Sequence, residues 1–212
     1  TSELETIGIS AFVGTMITSV VIPVSVTSIG NNAFGDIGVL AELTFRSPSA
    51  LTSIGEDVFK ETGIISVVIP ATVTSIGVNA FKGIAALTTL TFESGSTLTS
   101  IGDSAFQATA ITSVVIPASV TSIGVSAFDG ISALSTLTFE SPSELLTIGN
   151  NAFQNTAITS VDIPASVTSI GSSAFSNTAI TSVVIPASVT SIGQYAFGNN
   201  LSLLTLTFAP GS

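Results

Sequence analysis

The stretch Ile111-Thr112-Ser113-Val114-Val115-Ile116-Pro117-Ala118-Ser119-Val120-Thr121-Ser122-Ile123-Gly124-Val125-Ser126-Ala127-Phe128 decides the fold. Its first half alternates, with Val114 and Ile116 on one side and Ser113 and Val115 on the other, as a strand of period two requires. Pro117 closes that strand at a point where no ladder donor is needed. Its second half carries the signature Ile-Gly-x-x-Ala-Phe. The same signature recurs with glycines at Gly8, Gly30, Gly55, Gly77, Gly102, Gly124, Gly149, Gly171 and Gly193, and only Val58 departs from it, in the Ala place. A self-similar chain of 212 residues is to be read as repeats before anything else. One such repeat is too small to bury its own apolar side, so neighbours must stack and share a core.

The apolar spacing between signatures, Ile111, Val114, Ile116 in one copy and Leu134, Leu137, Phe139 in the next, is the L-x-x-L-x-L strand segment of a leucine-rich repeat. Successive signature glycines lie 22 to 25 residues apart, inside the range of that repeat. Two versions alternate. Type A ends its strand in Ile-Pro, as at Ile116-Pro117. Type B ends in Thr-Phe and carries extra residues, as in Phe139-Glu140-Ser141-Pro142-Ser143-Glu144-Leu145. The order is A-B-A-B-A-B-A-A-B, so a type B copy is missing between Ile163 and Ile185. All 13 phenylalanines take core places. Nine are signature residues, and Phe45, Phe92, Phe139 and Phe208 close the type B strands. The expected fold is a leucine-rich-repeat solenoid, a right-handed arc with one parallel β-sheet of about nine short strands. Turns and short helical or 3-10 segments are expected on the opposite side. Nine strands at the ordinary spacing make a stack of roughly 40 Å. The signature glycine is expected to hold a backbone angle that a side chain resists. Residues 1–212 form a single domain in this reading, expected to be a segment of a longer protein because it opens without Met in mid-pattern.

Composition removes several function classes. Charged residues are 8% of the chain, against about a quarter in ordinary domains, while 45% is hydrophobic. Net charge is −10 and the only cations are Arg46, Lys60 and Lys82, too few for the basic stripe a nucleic-acid binder needs. No apolar run reaches the length of a membrane helix, so no membrane insertion by this segment is expected. The chain has no Cys and no His, which excludes thiolate or imidazole nucleophiles and zinc sites of the usual kind.

The block Ile-Pro-x-Ser-Val-Thr-Ser-Ile-Gly-x-x-Ala-Phe, at residues 116–128 and again at 163–175, resembles the BspA-like, Treponema pallidum-type leucine-rich repeats. The likeness runs over essentially all of the chain. It implies a secreted or surface-exposed protein, in some cases an adhesin, and it brings no catalytic motif. The expected localisation is therefore extracellular or cell-surface, with no cofactor and no metal.

Few residues suggest chemistry. Glu93 and Glu140 follow type B strands at equivalent positions, ~9–10 Å apart by strand spacing, and are expected to be solvated surface acids. Asp162 is the one carboxylate pointing outward in mid-strand where other repeats carry Val or Thr, open to a ligand or a calcium ion. Asn200-Leu201-Ser202 is a sequon for an N-glycan. The informative surface is the outward column of the strands. Thr44, Val68, Thr91, Val115, Thr138, Asp162, Val184 and Thr207 form one row, and Thr89, Ser113, Thr136 and Thr205 belong to the row two residues earlier. Val and Thr suit a pleated surface by propensity alone. As a binding face, these positions fit a protein or glycan surface partner. Two other roles fit the same pattern. One is end-to-end self-assembly into a fibre or matrix, since Thr1 to Gly8 parallels the run into Gly149 and Phe208 to Ser212 parallels Phe92 to Ser96. The other is ice or crystal-surface binding through the outward pairs Thr89 and Thr91, Thr136 and Thr138, Thr205 and Thr207.

Overall fold

The structure is a computed structural model that describes residues 3–211. Strands come in two lengths. In chain order they are β1 (Thr6–Ile7), β2 (Ser19–Ile22), β3 (Ser28–Ile29), β4 (Glu42–Phe45), β5 (Ser53–Ile54), β6 (Ser66–Ile69), β7 (Ser75–Ile76) and β8 (Thr89–Phe92). There follow β9 (Ser100–Ile101), β10 (Ser113–Ile116), β11 (Ser122–Ile123), β12 (Thr136–Phe139), β13 (Thr147–Ile148), β14 (Ser169–Ile170), β15 (Ser182–Ile185), β16 (Ser191–Ile192) and β17 (Thr205–Phe208). Four-residue and two-residue strands alternate, so each turn of the solenoid presents a long strand on one side and a short one on another. The alternation fails once, between β13 and β14, where Ser160–Ile163 forms no strand. That segment belongs to the type A repeat that is followed by a second type A.

The leucine-rich-repeat solenoid anticipated from the sequence is present, and its sheets are organised differently in detail. In place of one nine-stranded sheet, the long strands form four separate parallel pairs: β2 with β4, β6 with β8, β10 with β12, and β15 with β17. Each pair joins a type A strand to the type B strand after it, with Val115 opposite Thr138 and Ile116 opposite Phe139 in one of them. The short strands make the continuous ladder, a seven-stranded parallel sheet from β5 to β16. Ser160–Ile163 lacks a ladder because the next long strand along the chain is another type A, which pairs forward with β17.

The expected short helices are replaced by turns, and no helix occurs among the described residues. The signature corner explains why. Its second variable residue is left-handed in every repeat, as in Asn79, Ser104, Ser126 and Asn151 at φ 54, 54, 54 and 57°. Two residues past the phenylalanine a second left-handed residue follows, for example Ala108 at φ 56° or Gly130 at φ 73°. Residues in that region cannot continue an α-helix. The amides of the corner instead reach the next turn. Ser104 N donates to Val125 O at 2.8 Å, Phe106 N to Ala127 O at 2.8 Å and Ala108 N to Asp129 O at 2.9 Å.

The signature glycines correct a second expectation. None of them has a positive φ. Their reason is close approach. A Cβ on Gly102 would lie 2.7 Å from the carbonyl carbon of Gly77, and one on Gly149 would lie 2.6 Å from that of Gly124. At every signature glycine but Gly8 and Gly55, glycine stacks on glycine and the corner is too tight for a side chain.

Between these corners the phenylalanines form one column. Phe12, Phe34, Phe59, Phe81, Phe106, Phe128, Phe153, Phe175 and Phe197 stack with ring centroids 5.1 to 5.5 Å apart and planes within 20° of parallel. Offset aromatic pairs contribute about 0.5–1.5 kcal/mol beyond their buried area. The core is open at both ends of the described stack, where Phe12 is 39% and Phe208 is 60% exposed.

Candidate binding face

The long-strand side builds the candidate site. Ser66–Ile69 shows why: Val67 and Ile69 turn into the core, and Ser66 and Val68 are exposed. All the outward positions singled out from the sequence are exposed: Thr44, Val68, Thr89, Thr91, Ser113, Val115, Thr136, Thr138, Asp162, Val184, Thr205 and Thr207. They do not lie on one flat sheet. Within a pair, outward neighbours such as Val68 and Thr91 are opposite each other in register. Between a type B strand and the next type A strand there is no ladder, and a groove opens there.

Three such grooves follow one another along the face. Leu43, Thr44 and Phe45 line the first with Ser66, Val68 and Glu93. Leu90, Thr91 and Phe92 line the second with Ser113, Val115 and Glu140. The third runs between Phe139–Ser143 and Asp162–Ala165. Thus Asp162 occupies, in the third groove, the place that Val68 and Val115 hold in the first two.

Glu93 and Glu140 have a local task. Glu93 Oε2 accepts the amide of Ala71 at 3.0 Å, and Glu140 Oε2 accepts that of Ala118 at 3.2 Å. Each carboxylate satisfies a backbone donor just past the proline of the preceding type A strand, where the ladder has stopped. Nothing in this arrangement sets them against each other across a substrate. No group of three or more His, Cys, Asp or Glu able to hold a metal ion occurs among the described residues.

Asn200 sits otherwise than a glycan acceptor does. It is 9% exposed, its Oδ1 accepts from Thr178 N and from Thr178 Oγ1 at 3.0 Å, and its Nδ2 donates to Phe175 O at 2.9 Å. The nitrogen that would carry a sugar is buried and bonded. In sequence Asn200 stands three residues past Phe197, where Ile84 and Ile131 stand past Phe81 and Phe128. It is a polar replacement that repairs itself by bonding to the previous turn.

Two polar arrays escaped the sequence reading. A side-chain relay runs along the corner: Gln107 Nε2 donates to Asp129 Oδ2 at 3.0 Å, Asn155 Nδ2 to Asp129 Oδ1 at 3.1 Å, and Asn177 Nδ2 to Asn155 Oδ1 at 2.8 Å. A threonine column borders the short-strand ladder, where Thr74, Thr99 and Thr121 each donate Oγ1 to the carbonyl of the threonine one turn back, at 3.0, 2.9 and 3.0 Å. The threonines stand two residues before the signature Ile, whereas the relay residues stand one or two past the signature Phe.

Stacked turns of 22 to 25 residues, all but one with a long strand and each with a Gly corner and a column phenylalanine, define a leucine-rich-repeat solenoid that offers a surface. The model of the BspA type leucine rich repeat region matches residues 5–134 and 99–211. The chain belongs to that family. Among solved structures, a leucine-rich repeat protein from Eubacterium ventriosum is similar over 92% of this chain and 62% of its own, at 22% identity and a TM-score of 0.58. A leucine rich cell surface protein from Faecalibacterium prausnitzii is similar over 97% of this chain and 83% of its own, at 23% identity and a TM-score of 0.52. At those identities the likeness speaks for the fold. No curated protein matches the chain in sequence.

Proposed function

We propose that this chain is a non-enzymatic, extracellular or cell-surface binding module that meets a protein or glycan partner with its long-strand face. The observation that carries the reading is the grooved row itself. Strand pairs hold exposed Ser, Thr and Val side chains at fixed spacing, with grooves between the pairs. A rigid surface loses little entropy on binding, which compensates for the scarcity of the large aromatic and Arg side chains that usually dominate interfaces. Family membership supports the same reading, as does the surface description of the Faecalibacterium relative.

The test is attachment of the purified chain to arrays of extracellular matrix proteins and of glycans, beside a Val68→Glu, Val115→Glu double variant. Both valines are about half exposed, so the variant folds with a cost of about 1 kcal/mol per site or less, which circular dichroism checks. Attachment by the parent chain and its loss in the variant are expected. No attachment to either array, or equal attachment by both chains, overturns the reading.

A second reading rests on the threonine column. Binding to ice or another crystalline surface asks for a flat, regular array, and the long-strand side is interrupted by grooves. The longer array lies on the short-strand side, where threonine runs from Thr27 to Thr121 before Leu146 interrupts it. Thermal hysteresis that disappears in a Thr99→Val, Thr121→Val variant is the expected result. Its absence at high protein concentration removes this reading.

A further inference from the structure

The third groove differs from the other two in three ways. Its type A side, Ser160–Ile163, belongs to no ladder, and Ile163 is 8% exposed where Ile116 is 1% exposed. Its outward residue is Asp162 where the other grooves have Val68 and Val115. Close by, Ser166 Oγ is buried with no hydrogen-bond partner, whereas the equivalent Ser119 and Ser188 donate to carbonyls at 2.8 and 2.7 Å. The groove thus combines an apolar floor with two carboxylates, Glu140 and Asp162.

No cation of the chain answers them. Arg46, Lys60 and Lys82 all precede residue 83, and residues 83–211 hold Glu93, Asp103, Asp129, Glu140, Glu144 and Asp162 with no Lys or Arg at all. Among the described residues the ion pair is Lys60 with Glu61, at 3.9 Å and far along the stack. An apolar slot rimmed by unanswered negative charge is complementary to a long side chain with an aliphatic stem and a positive head.

We infer that this groove receives a lysine or arginine side chain of a partner protein, its stem on Phe139, Ile163 and Pro164 and its head between Glu140 and Asp162. The inference rests on the binding-face reading and names one place on that face and the chemistry it selects. Glu140 keeps its bond to Ala118 N through one oxygen, which leaves the other for the cation. Asp162 has no structural duty, since valine fills its place in other repeats.

That last point supplies a clean variant. Asp162→Val restores the residue of the neighbouring grooves and is expected to fold as the parent does. The measurement is amide chemical-shift titration of the labelled chain with a blocked pentapeptide of alternating glycine and arginine, beside the same peptide with citrulline for arginine. Shifts confined to residues 139–143 and 162–166, about fivefold weaker binding or worse in D162V, and no response to citrulline are expected, as the loss of one partly exposed charge contact implies. Shifts spread over the acidic residues of the chain, or the same midpoint in D162V, reduce the effect to attraction by net charge and overturn the inference. Displacement of the peptide by sub-millimolar calcium chloride makes the groove a metal site and overturns it too. Array attachment lost in the Val68, Val115 variant and kept in D162V would leave the face standing and remove the groove.

Discussion

At the residue scale, two kinds of backbone constraint share each corner and are easily confused. The signature glycine is required by what lies one turn back, and the residue two positions on by its own φ. The first constraint predicts a contrast. Gly102→Ala drives a methyl group into the Gly77 backbone and should cost about 1–3 kcal/mol in urea unfolding, the range for overpacking. Gly8→Ala meets nothing within 4 Å and should be close to neutral in the same chain. The second constraint predicts a gain. Ala108 holds φ 56° without the local hydrogen bonding that suits Asn or Asp to that region. Ala108→Gly should raise stability by up to about 1 kcal/mol, the left-handed penalty less the added freedom of the unfolded chain, read from the same unfolding curves. The need for glycine was legible in the sequence, since it recurs nine times. Its reason was not, because steric contact between turns has no signature in a single turn.

At the element scale, the long strands show what alternation can and cannot say. Which side chains face inward followed directly from period two, and Val67, Ile69, Val114 and Ile116 are buried as that period demands. Which strands pair is a matter of separation between turns. Val114 and Leu137 carry the same alternation whether or not a ladder lies on their far side. The grooves and the failure at Ser160–Ile163 were therefore invisible, although the order A-A that causes the failure was plain. The same gap hid the helical question, because a corner that bonds sideways to its neighbour and a short helix can share one apolar pattern. A missing ladder has a measurable consequence. Amides of Val161, Asp162 and Ile163 should exchange with solvent faster than those of Val114, Val115 and Ile116, although the two segments are nearly identical in sequence. Equal protection of the two segments would mean that Ser160–Ile163 pairs in solution.

At the scale of the whole molecule, stability is a sum over turns and the interfaces between them. A cut in the middle of the column therefore costs more than its own repeat. Phe106 is fully buried and stacks on Phe81 at 5.3 Å and on Phe128 at 5.2 Å. Phe106→Ala should cost about 3–5 kcal/mol and divide the chain into two halves that melt at different temperatures, which calorimetry would resolve. Phe12→Ala, at the open end, should cost less and keep a single transition, because the ring already loses one neighbour and part of its burial.

The phenylalanine column also passes through the irregular place without noticing it. Phe175 and Phe197 lie 5.4 Å apart across the A-A junction, against 5.3 Å for Phe81 and Phe106 across a regular one. The spine counts turns and is blind to their type. Such a molecule can be lengthened or shortened by one whole turn at any junction, and the cost falls on the strand pairing at the surface while the interior keeps its order. Length variation then becomes a means of altering the face: each omitted turn leaves one strand without its mate and one groove unlike the rest, on a scaffold that still stands.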